Sequence, residues 1–347
     1  MQPARIRDVG EFPLIERLAR RLRGVGRPLP LGVGDDAALL PGARRGRSLL
    51  TKDLLVEGIH FRRDTVPPRA LGFKALEVSL SDVAAMGGRP VAFFLGLALP
   101  ADYLVSDFDA LAGGVRASAR RADVALGGGD TTSSPGPVMI SVSVVAALSG
   151  RALRRDGARS GDLLAVSGPL GASAAGLRLL EKGWRWRDGG VRGPTSDPVA
   201  CRHARAALRA HLFPRARLEV GRAAARHGSC RAAMDLSDGL ASDLAHLCAR
   251  SRVGARVERG RVPVAACARY WARRWKIDPW ALAVEGGEDY QLLLSLGAGA
   301  LRAWSRRGTP PVPRVIGRIV PASQGLREVA PDGSLAAWGR SGFHHFT

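Results

Sequence analysis

Apolar residues recur along this chain at helical spacing in some stretches and at strand-like spacing in others. Residues 11–23 put Phe12, Ile15, Leu18, Ala19 and Leu22 on one helical face, and Gly24 ends the run. Residues 48–53 read as a strand that ends at an acid, Asp53. A long helical pattern covers 69–86, closed by Gly87 and Gly88, and 91–99 reads as a buried strand. The spacing predicts a further helix over 107–122 and strands over 138–148 and 162–168. Helices are expected over 172–181, 201–212 and 218–226, and a strand over 291–296. Residues 182–198, with Trp184, Trp186, Gly189, Gly190 and Pro194, read as a loop. Another strand ends near Asp235, where Ser237 or Asp238 can cap a helix running to Ser251. Both halves mix strands with helices, so the class is mixed α and β. The stretch 148–161 is rich in Arg and Gly, which places a domain boundary near residue 150 and gives units 1–150 and 151–347.

The acids that interrupt this pattern are more informative than the pattern. Asp82 lies in the 69–86 helix with Val78 and Ser79 before it and Ala85 and Met86 after it. An acid on such a small, apolar face needs a partner or a metal to offset its desolvation. Other acids stand at strand ends or beside double glycines: Asp35 with Asp36, Asp53, Asp130, Asp235 with Asp238, and Glu288 with Asp289. One acidic turn is ordinary, but this many ask for a common cause, and hard oxygen ligands for Mg²⁺ supply one. Residues 127–132, Gly-Gly-Gly-Asp-Thr-Thr, combine bare backbone N–H groups, a carboxylate and two hydroxyls. That suits a phosphate with its metal ion, and it equally suits a plain glycine-rich turn. His60, among apolar neighbours, reads on its own as a packed histidine.

Composition narrows the function. The 347 residues, 46% hydrophobic and 24% charged, can bury a substantial core. The net charge of +21 invites a nucleic-acid reading, but the arginines are spread along the chain and no nucleic-acid-binding motif accompanies them. Cys201, Cys230, Cys248 and Cys267 form no CxxC pair, which fits a reducing compartment. No apolar run is long enough for a membrane span and no signal-peptide pattern opens the chain, so the expected location is the cytoplasm. A P-loop, the protein-kinase motif set and H-E-x-x-H are all absent, and Gly32-Val33-Gly34 runs into Asp35-Asp36 instead of a dinucleotide fingerprint. A metal-dependent nucleotide site outside those families remains.

Six segments, in order, carry a resemblance. They are Gly34-Asp35-Asp36-Ala37-Ala38, Val56-Glu57-Gly58-Ile59-His60-Phe61, Leu80-Ser81-Asp82-Val83-Ala84-Ala85-Met86-Gly87, Gly128-Gly129-Asp130-Thr131-Thr132, Asp235-Leu236-Ser237-Asp238-Gly239-Leu240 and Gly286-Gly287-Glu288-Asp289-Tyr290. Together they resemble the thiamine-monophosphate kinase family, within the aminoimidazole-ribonucleotide-synthetase-like superfamily, over nearly the whole length. The resemblance implies a two-domain fold of α+β or α/β type and a homodimer. The N-terminal domains would form a dimer-spanning β-barrel, and a C-terminal α/β domain would follow. It implies transfer of a phosphoryl group from ATP to thiamine monophosphate, with several Mg²⁺ ions and ATP as co-substrate. By position, Asp36, Thr51, Asp53, Asp82, Asp130, Asp235 and Asp238 would hold metal. Gly129, Asp130, Arg155 and Ser237 would contact ATP, with Asp130 and Arg155 acting on the transferring group. His60, Glu288 and Phe343 would contact thiamine monophosphate.

Three positions depart from the family pattern. Lys52 replaces a Thr or Ser beside Asp53, Ser79 stands where Asn is commoner, and Ser133 replaces an Arg. Lys52 puts a cation next to a proposed ligand in the sequence, where it would displace a metal or touch a phosphate. Two other readings stay open. One is a synthetase-type, ATP-dependent enzyme of the same superfamily; no cysteine precedes Cys201, unlike the reactive N-terminal Cys or selenocysteine of selenophosphate synthetases. The other is a weakly active binding or regulatory homologue, for which Lys52 is the support.

Overall fold

The computed structural model describes residues 30–31, 35–41, 47–187, 190–226, 228, 230–301, 304 and 312–339, with Pro13 and Glu16. The helix expected over 11–23 lies outside the described residues except for Pro13 and Glu16, both helical, and Phe343 lies outside them altogether.

Two sheets organise the chain. The first comprises β1 (Ala38–Pro41), β2 (Arg47–Val56), β3 (Arg89–Leu99), β4 (Ala125–Ser133) and β5 (Met139–Leu148), in the order β1-β2-β5-β3-β4. All neighbours are antiparallel except β3 and β4, which are parallel and joined through a helix, as a parallel crossover requires. The strand expected to end at Asp53 runs on to Val56, because Leu55 keeps the buried alternation. The stretch read as a turn or phosphate-cradling loop at 127–132 is instead part of β4, an exposed edge strand. A Cβ on Gly129 would lie 2.0 Å from the Leu95 carbonyl oxygen, so close strand packing accounts for that glycine. The sheet is open within one chain; the described residues form no closed barrel.

Helix α1 (Pro68–Ala85) covers one face of this sheet, and α2 (Val105–Ala122) packs along α1. Most of α1 is buried around its whole circumference, because the sheet flanks it on one side and α2 and the second domain on the others. Contact between α1 and α2 depends on two glycines. A Cβ on Gly72 would lie 2.0 Å from the Leu111 carbonyl oxygen, and one on Gly114 would lie 2.0 Å from that of Arg69.

The second sheet holds β6 (Leu163–Val166), β9 (Cys230–Asp235), β10 (Val253–Glu258), β11 (Leu292–Leu296), β12 (Arg314–Pro321), β13 (Leu326–Val329) and β14 (Leu335–Ala337). Its order is β14-β13-β10-β12-β6-β11-β9, antiparallel except for β10 with β13. Around it lie α3 (Ala172–Glu181), α4 (Pro198–Leu212), α5 (Leu218–Arg226), α6 (Leu240–Ser251), α7 (Ala266–Trp275) and α8 (Pro279–Val284). The segment read as a loop over 182–198 contains a hairpin, β7 (Arg185–Arg187) with β8 (Gly190–Arg192). Trp184 anchors it by packing edge-on against Trp271, with ring centroids 5.5 Å apart. Tryptophans this far apart in sequence gave no local signal for that contact. Among the described residues no helix is long and apolar enough to cross a membrane.

Gly114→Ala is expected to destabilise the chain by about 1–3 kcal/mol, because the helix backbones must separate to admit a methyl group. Urea denaturation checks this, with the exposed Gly136→Ala as a neutral comparison.

Candidate active site

The carboxylates that interrupt the sequence pattern come from four separate segments. Asp35 and Asp36 precede β1. Thr51 and Asp53 share the face of β2 that packs on α1, by strand alternation. Ser79 and Asp82 are one helical turn apart on α1, and Asp235 ends β9. Carboxylate oxygens of Asp36, Asp82 and Asp235 all lie within 4.8 Å of one another. The Thr51 hydroxyl donates to Asp82, and Ser79 Oγ donates to Asp53 Oδ2 at 2.6 Å. Ser79 therefore orients Asp53.

Electrostatics argue that this cluster is incomplete. Burial raises the Asp82 carboxyl well above its ordinary value, and Asp53, Asp235 and Asp36 add repulsion. Asp235 is pushed up to about 8 by burial and by Asp36. Burial and Asp36 raise Asp35 to about 6, and burial raises Asp53. Among the described residues one guanidinium opposes them closely. Arg155 grips Asp36 with Nη2 to Oδ1 at 2.6 Å and Nε to Oδ2 at 3.1 Å. Burial disfavours the Arg155 charge, but Asp36, Asp235 and Asp35 more than compensate and raise its pKa. The hydroxyl of Ser81, near Asp235, is buried without a hydrogen-bond partner of normal geometry. Three convergent hard-oxygen donors in excess negative charge fit Mg²⁺, and Asp36, Asp82 and Asp235 could hold it.

Other expected residues lie elsewhere. Asp238 and Ser237 are half-buried in the loop after β9, beyond Asp235. Neither caps α6: Gly239 takes that position with φ of 108°, and Asp243 Oδ2 accepts from the Asp238 and Gly239 N–H groups at 3.2 and 3.1 Å. Burial and the Asp238 and Asp235 charges raise the Asp243 pKa well above its ordinary value. Asp130 is exposed on β4. Its register partners are Gly96, then Ser141 across β5, then Leu54 on β2. That row is on the sheet face away from α1, so within one chain Asp130 is not part of the Asp36–Asp82–Asp235 cluster. Lys52 is on the same outer face and donates to Ser141 Oγ at 2.6 Å. Its neighbour Asp53 points the other way, toward Ser79 on α1, so the two residues serve opposite faces of β2. His60 Nδ1 accepts from the Val56 N–H at 3.0 Å in the turn after β2.

Glu288 belongs to a second polar cluster. Lys74 of α1, only 2% exposed, places Nζ 2.6 Å from Glu288 Oε1, and His211 Nδ1 of α4 is 3.2 Å from Oε2. Burial works against the Glu288 charge, but Lys74 and His211 hold its carboxyl well below the usual range. Burial and Lys74 lower the His211 pKa. Asp289, the next residue, accepts from the Gly171 and Ser173 N–H groups at 2.5 and 3.2 Å and so seats the N-terminus of α3. Sequence reasoning missed Lys74, His211 and Asp243. The test that singled out Asp82, a charge inside an apolar helix, applies equally to Lys74 between Phe73 and Ala75. No local signal distinguishes His211.

Comparison with known proteins adds a family context. Residues 34–148 match the family model described as AIR synthase related protein, N-terminal domain, and 159–304 match its C-terminal domain. The thiamine-monophosphate kinase of Salmonella typhimurium is 36% identical over 342 residues, covering 97% of this chain and 98% of that protein. That of Mycobacterium tuberculosis is 35% identical over 319 residues, covering 91% and 86%. The structure of AaThiL complexed with AMPPCP and TMP superposes with a TM-score of 0.84 at 31% identity, covering 99% of this chain and 100% of that one.

Two outcomes test the site. Asp235 has a folded pKa of about 8 against an ordinary 3.8, so the folded protein binds the extra proton between those values. Its contribution to stability is therefore largest below about pH 4 and falls as pH rises toward 8. In EDTA, Asp235→Asn is expected to raise Tm at pH 8 more than at pH 5, by about 2–4 °C per kcal/mol of relieved repulsion. Mg²⁺ should stabilise the wild type at pH 8 but not this variant, as thermal unfolding would record. Lys74→Met should cost about 3–5 kcal/mol by stranding Glu288, and Lys74→Met/Glu288→Gln should cost less, measured by urea denaturation.

Proposed function

The chain belongs to the thiamine-monophosphate kinase family of AIR synthase related proteins, and we propose that it transfers the γ-phosphoryl group of ATP directly, in line, to the phosphate of thiamine monophosphate. The observation that carries this reading is the convergence of Asp36, Asp82 and Asp235, from both halves of the chain, with ligand atoms within 4.8 Å. The solved relative complexed with AMPPCP and TMP supports the choice of nucleotide and acceptor.

The acceptor oxygen is ionised at neutral pH, so the chain need not supply a strong base. The obstacle is the approach of two anions, which makes positioning and charge stabilisation the task. Mg²⁺, when bound, supplies charge neutralisation and a template for phosphate oxygens. Asp36, Asp82 and Asp235 are its central ligands in this reading, with Thr51, Asp53, Asp130 and Asp238 completing the metal set. Arg155 commits two of its five N–H groups to Asp36 and turns the others to the transferring phosphoryl group. Gly129, Asp130 and Ser237 contact ATP. Glu288, kept ionised by Lys74 and His211, faces the cationic end of the acceptor, which His60 and Phe343 help to hold.

The active form in this reading is a homodimer in which first-domain sheets join across the two-fold into one barrel, with the domain division near residue 150. Support comes from the outer sheet face, where Leu50, Leu54 and Phe94 are 36%, 53% and 42% exposed. Asp130 is on that same face, so it and Gly129 would reach a metal-and-phosphate site through the second subunit.

A coupled ADP-release assay with Mg-ATP should give turnover that depends on thiamine monophosphate. Asp82→Asn should lower the rate by roughly 10²–10³-fold or more. Asp130→Asn should abolish turnover with an unchanged Tm; near-normal turnover in that variant refutes its assignment. Phe94→Asp should convert a dimer to a monomer in sedimentation equilibrium. Failure of thiamine monophosphate to stimulate ADP release overturns the main reading.

A further inference from the structure

Part of the net charge of +21 is concentrated on a concave surface. Two adjoining cavities, of about 420 and 350 Å³, open beside the segment that connects the two domains. Arg47, Arg151 and Arg154 line the first, with Asp156 as the one carboxylate among its described lining residues. Arg151 also lines the second, together with Arg159 and Arg231. Five arginines thus face a volume typical of small-ligand sites.

Their pairing leaves positive charge in excess. Arg154 pairs with Asp156, yet its Nε is buried with no hydrogen-bond partner. Arg231 Nε is 3.2 Å from Asp162 Oδ1. Arg151 gives one N–H to the Arg231 carbonyl at 3.1 Å and pairs with no carboxylate among the described residues. Arg47 and Arg159 form no side-chain ion pair among the described residues. Three exposed guanidiniums and one buried, unpartnered N–H therefore line the two cavities with no carboxylate paired to them among the described residues. Guanidiniums bind phosphate oxygens in bidentate fashion, and several around one cavity match a chain of phosphates better than a single carboxylate.

We propose that these joined cavities bind an oligophosphate anion, held chiefly by Arg151 and Arg159, at a site separate from the carboxylate cluster. The separation follows from β9. Arg231 is near its start and Asp235 at its end, roughly 13 Å along the strand. The linker carries the two sites back to back, since Arg154 faces the cavity while the adjacent Arg155 grips Asp36.

Calorimetric titration of the full chain in EDTA, at about 0.15 M salt, tests this with pyrophosphate, tripolyphosphate and ADP in turn. Without a divalent ion the carboxylate cluster repels all three ligands, so the arginine cavities carry the binding. Saturable binding should weaken by about tenfold or more in Arg151→Gln/Arg159→Gln, both exposed positions, with Tm unchanged. It should persist in Arg273→Gln/Arg274→Gln, an exposed basic pair on α7. Pyrophosphate or tripolyphosphate binding at least as tightly as ADP identifies a free oligophosphate, and tighter ADP identifies a nucleotide tail; either upholds the site. Absence of saturable binding, equal affinity in wild type and the Arg151/Arg159 variant, or equal weakening in the α7 control overturns it.

Discussion

Helix α1 must be buried on every side although it carries Lys74, Glu77 and Asp82, and most of the molecule is arranged to satisfy them. Each charge is answered by a different part of the chain. Glu77 is fully buried and accepts two bonds from Arg121 and one from Ser118 on α2, and another from the Ala216 N–H of the second domain. Lys74 meets Glu288 beyond α8. Asp82 accepts from Thr51 on β2 and faces Asp235 on β9. An unpaired charge in such a place would cost several kcal/mol, so these partners lock α1, both sheets and the loop after α8 into one register.

The same helix separates two kinds of polar site. Toward Lys74 the charges balance: cation and carboxylate meet at 2.6 Å, and His211 adds a further contact. Toward Asp82 they do not, because carboxylates converge and Arg155 answers mainly one of them. A balanced pair holds structure. An unbalanced cluster stores repulsion that a divalent cation can relieve, and this is why the Asp82 end is the catalytic candidate.

Much of this was legible in one dimension. The helices over 69–86, 107–122, 172–181, 201–212 and 218–226 all formed, since each has a sustained periodicity that tertiary contacts reinforce. Asp82 was legible because a charge inside a small, apolar helical face has few explanations. The misreadings share a cause. Gly127–Gly129 suggest a turn by local propensity, but pairing with β3 draws them into a strand. The hairpin at 185–192 depends on Trp184 meeting Trp271, a contact between residues far apart in the chain. Asp243, not Ser237 or Asp238, receives the N–H groups at the start of α6, because Gly239 with positive φ turns the backbone toward it.

The sequence by itself determined the family motifs, the periodic helices and the set of acids that must be explained, because these are properties of local order and chemical type. Only the tertiary structure decided which acids meet. Strand alternation sends Lys52 and Asp53 to opposite faces, so neighbours in sequence serve different surfaces. It leaves Asp130 on the outer face of an edge strand while drawing Asp36, Asp82 and Asp235, far apart in the chain, within 4.8 Å. A carboxylate's role depends on distances to charges across the fold, and a linear order of residues does not contain those distances.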